Sequence, residues 1–120
     1  MELYTIQNAQ WRKAKNRGIL LHDTSVKTGT SIFAPTWPMV IGYKEGVISE
    51  QEYTDRYVHL MRQRFNADPH PWREFVKQDT VAIGCMCCNG VFCHRYLLKD
   101  LLSRYCNHIG IQFIYKGEIT

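Results

Sequence analysis

The sequence predicts an α/β fold, a single compact domain over residues 1–120 with about four mostly parallel strands and helices on both faces. Three observations carry this reading. Short runs of strand formers alternate with helical stretches, which argues for a parallel sheet covered by helices. The strongest run, Thr80 to Cys87, is apolar on both faces: Val81, Ile83, Cys85 and Cys87 alternate with Ala82, Gly84 and Met86. A strand that reads this way is central and covered on both sides. No linker or repeat interrupts the 120 residues, a length that suits one domain.

The elements follow in order. Glu2 to Ile6 reads as a strand. Asn8 is placed to cap a helix over Ala9 to Arg17, and Gly18 to end it. Ile19-Leu20-Leu21, closed by His22-Asp23-Thr24-Ser25, reads as a buried parallel strand feeding a polar loop. Residues 26–48 are irregular, with a helical stretch inside Pro38 to Lys44. Ser49 and Glu52 form a capping box. The helix it opens carries Tyr53, Tyr57, Leu60, Met61 and Phe65 on one stripe, and Pro69 breaks it. Pro71 starts a short helix, Trp72 to Gln78, that turns Trp72, Phe75 and Val76 to the core. After the central strand, Cys88 to Phe92 turns around Asn89-Gly90. A helix over His94 to Tyr105 then points Leu98, Leu101, Leu102 and Tyr105 inward, Gly110 ends it, and Ile111 to Tyr115 is the last strand.

Composition narrows the function classes. Hydrophobic residues make up 45% and charged residues 22%, which excludes disorder and low complexity. No apolar run approaches the roughly 20 residues of a membrane helix. The opening Met-Glu-Leu-Tyr lacks the basic and apolar regions of a signal peptide, so the expected location is cytoplasmic. Net charge is +4, from 15 basic against 11 acidic residues. The densest basic cluster, Arg12, Lys13, Lys15 and Arg17, would spread round a solvated helix face.

The five cysteines are Cys85, Cys87, Cys88, Cys93 and Cys106. In a reducing compartment a disulfide framework is not expected. Cys85 and Cys106 read as buried filler. Zinc has enough candidate ligands, but paired C-x2-C spacing is missing and Cys85 and Cys87 would both lie within a strand, so no metal is expected.

In open parallel sheets ligands sit beyond the carboxyl ends of the strands. Asp23 to Lys27 and Cys87 to Arg95 leave those ends, and the chemistry is concentrated there. Cys93, His94 and Arg95 would fall at a helix start, where unpaired N–H groups attract anions and lower a thiol's pKa. Arg95 adds a fork for phosphate or carboxylate; pairing with an acid such as Asp23 is the alternative.

The segment Val81-Ala-Ile-Gly-Cys-Met-Cys, then Gly90-Val-Phe-Cys-His-Arg, resembles the signature of the domain-of-unknown-function family numbered 488. The resemblance is closest to its short, phage- and mobile-element-associated branch. It extends to Asp23-Thr24-Ser25-Val26-Lys27, Phe33-Ala34-Pro35-Thr36-Trp37, Gly42-Tyr43-Lys44 and the Ser-x-x-Glu-Tyr helix, and so covers nearly the whole chain. It implies an α/β fold, a site around Cys93, His94 and Arg95, and a phage gene expressed in bacterial cytoplasm.

The first functional expectation is binding of a phosphorylated, nucleotide-like small molecule, in a phage a host immune signal to be sequestered. Cys93, His94 and Arg95 with the Asn89-Gly90 turn would take the phosphate. Asp23, Thr24 and Ser25 would offer hydrogen bonds, Lys27 charge, and Trp37 a stacking lid. The alternative is a cysteine-dependent hydrolase or transferase with Cys93 as nucleophile. A third reading is a nucleic-acid or host-protein adaptor. No cofactor is implied, no membrane partner is expected, and an oligomer stays open.

Overall fold

The computed structural model describes residues 1–28, 30–87 and 89–120; Gly29 and Cys88, assigned above to the irregular segment and the turn, lie outside the described residues. Four strands form one sheet: β1 (Glu2–Gln7), β2 (Leu20–Asp23), β3 (Thr80–Cys85) and β4 (Ile114–Ile119), in the spatial order β2-β3-β1-β4. All three pairings are parallel. The helices are α1 (Trp11–Asn16), α2 (Trp37–Lys44), α3 (Glu50–Ala67), α4 (His70–Val76) and α5 (His94–Ile109). The α/β expectation is therefore met, with β3 central and buried on both faces.

Alternation along the strands divides the core in two. Leu3, Val81 and Ile83 face the larger cluster, with Tyr57, Met61, Trp72, Phe75, Leu98 and Leu102 from α3, α4 and α5. Ile6 and Ala82 face the smaller one, closed by Ala14 of α1 with Ile19 and Ile119. The irregular segment after β2 is tied down from α3. The Tyr57 hydroxyl donates to the Phe33 carbonyl (2.7 Å), and Arg64 donates to the carbonyls of Ile32 and Ala34 (both 2.7 Å). Phe33 itself is fully buried against Trp72 and Phe75, with ring centroids 4.8 and 4.9 Å away.

Four local expectations are corrected. Asn8 does not cap a long helix; a 3-10 turn over Asn8–Gln10 precedes α1, and the Asn8 amide donates to the Asp23 carboxylate instead (2.9 Å). A charged acceptor is the stronger partner. The β2 strand runs on to Asp23 and is an edge strand, so Leu20 is 62% exposed rather than buried. The central strand ends at Cys85, which leaves Cys87 in the bend that follows. The last strand begins at Ile114, not Ile111. Ile111 and Phe113 pack on the larger core cluster, and pairing starts where the Ile114 N–H reaches the Met1 carbonyl.

Gly84 has a steric reason. A Cβ there would lie 2.3 Å from the Asn8 side-chain oxygen, so only glycine lets β1 and β3 deliver Asn8 to Asp23. Gly110, at φ 79°, closes α5 in the left-handed conformation.

Candidate functional site

Parallel strands end together, and the loops leaving these ends converge. Asp23 ends β2, Cys85 ends β3, and Cys93 caps the first turn of α5. Between them lies a cavity of about 260 Å³. Its lining includes Ser25, Tyr53 and Phe92, exposed Lys27, Trp37 and Lys44, and a floor of Cys85, Cys87, Cys93 and His94. Among the described residues two cations and no carboxylate line it.

His94 is held in one tautomer. The Thr24 hydroxyl donates to the Gly84 carbonyl (2.8 Å), so its oxygen is left to accept from His94 Nε2 (2.9 Å). The Thr24 carbonyl also accepts from Nε2 (2.9 Å). With two acceptors beside it, Nε2 carries the hydrogen, and the Nδ1 lone pair faces the Cys93 sulfur at 3.6 Å. Burial lowers the His94 pKa to about 4, so the ring is neutral at pH 7.

Arg95 turns away from solvent. Its side chain is fully buried and pairs with Glu118 of β4 at 2.8 Å. A second nitrogen, Nη1, donates to the Cys85 sulfur (2.8 Å) and the Cys87 carbonyl (2.9 Å). Nη2 also donates to the Tyr96 hydroxyl (2.9 Å). Burial alone would lower the arginine's pKa, but Glu118 and the Cys85 sulfur raise it above its ordinary value. The guanidinium therefore remains a fixed positive charge beneath the thiols.

The thiols act as a unit. Cys85 and Cys93 place their sulfurs 2.7 Å apart. Cys87 is pushed far down by hydrogen bonds from Cys85 and then Cys93, with smaller help from His94 and Arg95. The same bonds push Cys93 strongly up, as does its burial. Cys85 is raised, chiefly because its proton is held by Cys87. Three thiols on one cavity floor titrate together, and a second ionisation is opposed by the first. Among the described cysteines Cys87 is the one not buried. The accessible sulfur is thus the one whose ionisation is favoured.

Cys85, Cys93 and His94 also bring metal-ligating atoms within 4.8 Å of one another. Two sulfurs on a tetrahedral zinc stand about 3.7 Å apart, wider than the 2.7 Å here. Arg95 already places a cation against Cys85. These three residues are the ones that would hold an ion, with Cys85 giving up its bond to Arg95.

The family model described as "Active DUF488-N3 subclade" matches residues 8–106, from the 3-10 turn after β1 almost to the end of α5. The chain belongs to the DUF488 family. No curated protein and no solved structure matches it. The match spans the loops after β2 and β3 and the start of α5, and so contains the whole floor of the cavity.

Within this DUF488 fold the residues singled out in the sequence separate. Cys93, His94, Ser25, Lys27 and Trp37 line the cavity. Asp23 stands outside the lining, its carboxylate engaged by Asn8, the Ser25 N–H and the Thr28 hydroxyl. Thr24 is buried behind His94. Asn89 and Gly90 occupy an exposed turn beyond the lining, where the Gly90 N–H donates to the Tyr96 hydroxyl (3.1 Å). Arg95 pairs with Glu118 rather than Asp23. Sequence reasoning missed Cys85 as more than filler, and it missed Lys44, Tyr53 and Glu118. The signal for Cys85 was available: the last residue of a central parallel strand points at the ligand end.

Proposed function

We propose that this DUF488 protein is a cysteine-dependent transferase or hydrolase acting on a small phosphorylated, nucleotide-like molecule, with Cys87 as its nucleophile. The observation that carries the reading is a group of three thiols, Cys87 the unburied one, at the floor of a cavity lined by two lysines and a half-exposed tryptophan. The description of the matching subclade as active agrees with a working site. Lys27 and Lys44 attract the phosphate, Trp37 offers a face for a base, and the reducing cytoplasm keeps the thiols free.

The chemistry follows from the protons. The Cys87 sulfur bonds to the electrophilic atom of the substrate, and the leaving group departs with the bonding pair. Once the Cys87 charge that opposed a second ionisation has gone into the new bond, Cys93 donates its proton to the leaving group. Water or a second acceptor then attacks the Cys87 adduct and gives its proton to the Cys93 thiolate, and Cys87 leaves as a thiolate. Neutral His94 accepts a hydrogen bond from Cys93 at Nδ1 and keeps that thiol oriented. Arg95 holds the negative charge at the floor throughout.

The test has two arms. Iodoacetamide alkylation of Cys87, located by mass mapping, should have a pH midpoint well below the roughly 8.5 of a free thiol. A panel of nucleoside monophosphates should be converted by the wild type and bound but not converted by Cys87→Ser. Turnover in that variant, or a midpoint at 8.5 or above, would remove Cys87 from the role. Binding without turnover in the wild type is the signature of a sequestering protein, the phage-type reading of the same cavity.

A further inference from the structure

Three thiols are more than a nucleophile needs, and the two extra ones are in contact with each other. Cys85 and Cys93 are both buried, and their sulfurs lie 2.7 Å apart. Their backbones are fixed independently, Cys85 at the end of a central strand and Cys93 at the cap of α5. A disulfide needs sulfurs about 2.05 Å apart, so less than about 1 Å of movement closes the pair. Cys87 differs: it sits in the bend after β3 and lines the cavity, where a small oxidant can reach it.

We infer that Cys85 and Cys93 are a resolving dithiol that returns Cys87 from oxidation by peroxide. The inference rests on Cys87 being the reactive thiol. In the first step the Cys87 thiolate attacks hydrogen peroxide, the O–O bond breaks, and Cys87 sulfenic acid and hydroxide form. In the second the Cys93 sulfur attacks the sulfenic sulfur, and water leaves with the Cys93 proton, giving a Cys87–Cys93 disulfide. In the third the Cys85 sulfur attacks the Cys93 sulfur, its proton passes to the hydroxide released in the first step, and Cys87 leaves as a thiolate. The Arg95 Nη1 contact with Cys85, at 2.8 Å, favours the thiolate that this last attack needs. Two electrons pass from the dithiol to one peroxide. The end state is a buried Cys85–Cys93 disulfide and a free Cys87, which a dithiol reductant resets.

The arrangement makes a distinction that ordinary oxidation does not. An exposed thiolate without a partner continues to the irreversible sulfinic acid. Here the sulfenic acid is formed in the cavity that Cys85 and Cys93 also line, their sulfurs 2.7 Å apart.

The experiment uses the whole protein, hydrogen peroxide and fragment mapping by mass spectrometry. The wild type should lose about 2 Da, mapped to a bond between Cys85 and Cys93, and dithiothreitol should reverse it. The double variant Cys85→Ser/Cys93→Ser, which leaves Cys87 without a resolving thiol and keeps a good helix cap, should instead gain about 32 Da at Cys87. Cys85→Ser should stop at the Cys87–Cys93 disulfide, which keeps the test alive if one variant fails to fold. Sulfinic acid at Cys87 forming as fast in the wild type as in Cys85→Ser/Cys93→Ser would overturn the inference while leaving Cys87 as the nucleophile. Cys87 inert to both peroxide and iodoacetamide would instead remove the reading beneath it.

Discussion

Two buried clusters lie on one face of the sheet and are built on opposite principles. Around Phe33, the rings of Trp72 and Phe75 meet edge to face, and Phe65 packs on the far side of Trp72. Tyr57 donates to the Phe33 carbonyl and Arg64 to the carbonyls of Ile32 and Ala34 on either side of it. Around Arg95, a full charge, a carboxylate and the thiols of Cys85 and Cys93 are shielded from water, with Cys87 at their open side. The first cluster gains free energy from every ring it buries. The second spends it, because a buried ion pair seldom recovers its desolvation cost. A fold that keeps such a pair holds a charge where water cannot screen it, and here that charge faces the cavity thiols.

The sharpest way to break the comparison is to remove one member of each cluster. Phe33→Ala should cost about 3–5 kcal/mol through lost burial and an unfilled cavity. Glu118→Ala should cost about as much, about 3–5 kcal/mol, by leaving Arg95 buried without its carboxylate. Urea midpoints measure both. Thiol reactivity separates them: alkylation of Cys87 should be unchanged in folded Phe33→Ala and altered in Glu118→Ala, where the freed guanidinium binds the thiols more strongly. Equal alkylation rates in the two variants would show that the Arg95 cluster is packing alone.

The aromatic cluster was legible in the sequence and the charged one only in part. Trp72, Phe75 and Val76 could be assigned to the core because apolar residues on a short helix have one place to go. The strand alternation through Val81 and Ile83 was legible for the same reason. The convergence of Asp23, Cys93 and His94 followed from the parallel-sheet rule. What could not be read was the direction of Arg95. Its partner, Glu118, lies 23 residues on, in a strand whose start was misplaced by three residues. Nothing local marks that distant carboxylate as the one to meet it. The edge position of β2 was hidden similarly, since strand order depends on crossovers and not on the composition of Leu20 or Leu21.

A smaller effect follows from protons. The folded pKa of His94, about 4, lies below its ordinary 6.5. Between those values the unfolded chain binds a proton that the folded chain does not, so stability rises with pH across the window. The contribution is full above 6.5 and is lost as pH falls toward 4, by up to about 3 kcal/mol at the lower end. His22 works in the same direction, lowered by burial against the raising pull of Asp23. It packs on Phe33 and Phe75, so the slope has a source in each cluster. Asp23 acts lower. Burial pushes its pKa up, but hydrogen bonds from Thr28, Ser25 and Asn8 outweigh that, and its contribution is lost only as pH falls through a value below 3.8. Urea midpoints between pH 7 and 4.5 should fall, and His94→Asn should flatten most of the slope. An undiminished slope in that variant would assign it to His22.

The smallest effect concerns the cations at the other end of the cavity's charge scale. Lys27 and Lys44 are exposed where Arg95 is buried, and among the described residues neither has an ion-pair partner. A solvated lysine near a phosphate contributes about 0.2–1 kcal/mol. Lys27→Gln and Lys44→Gln should therefore each weaken binding of a nucleoside monophosphate by about 1.4- to fivefold, with the fold unaffected. The loss should shrink at high salt, because screening shortens from about 10 Å at 0.1 M to about 3 Å at 1 M. Raising salt should leave Cys87 alkylation by neutral iodoacetamide nearly unchanged, since the charge that tunes it is shielded by protein. Calorimetric titration at low and high salt reads the first effect and alkylation rate the second. If both lysine variants bind like the wild type at low salt, the phosphate does not sit between them. The anion-binding role would then pass to the N–H groups at the start of α5.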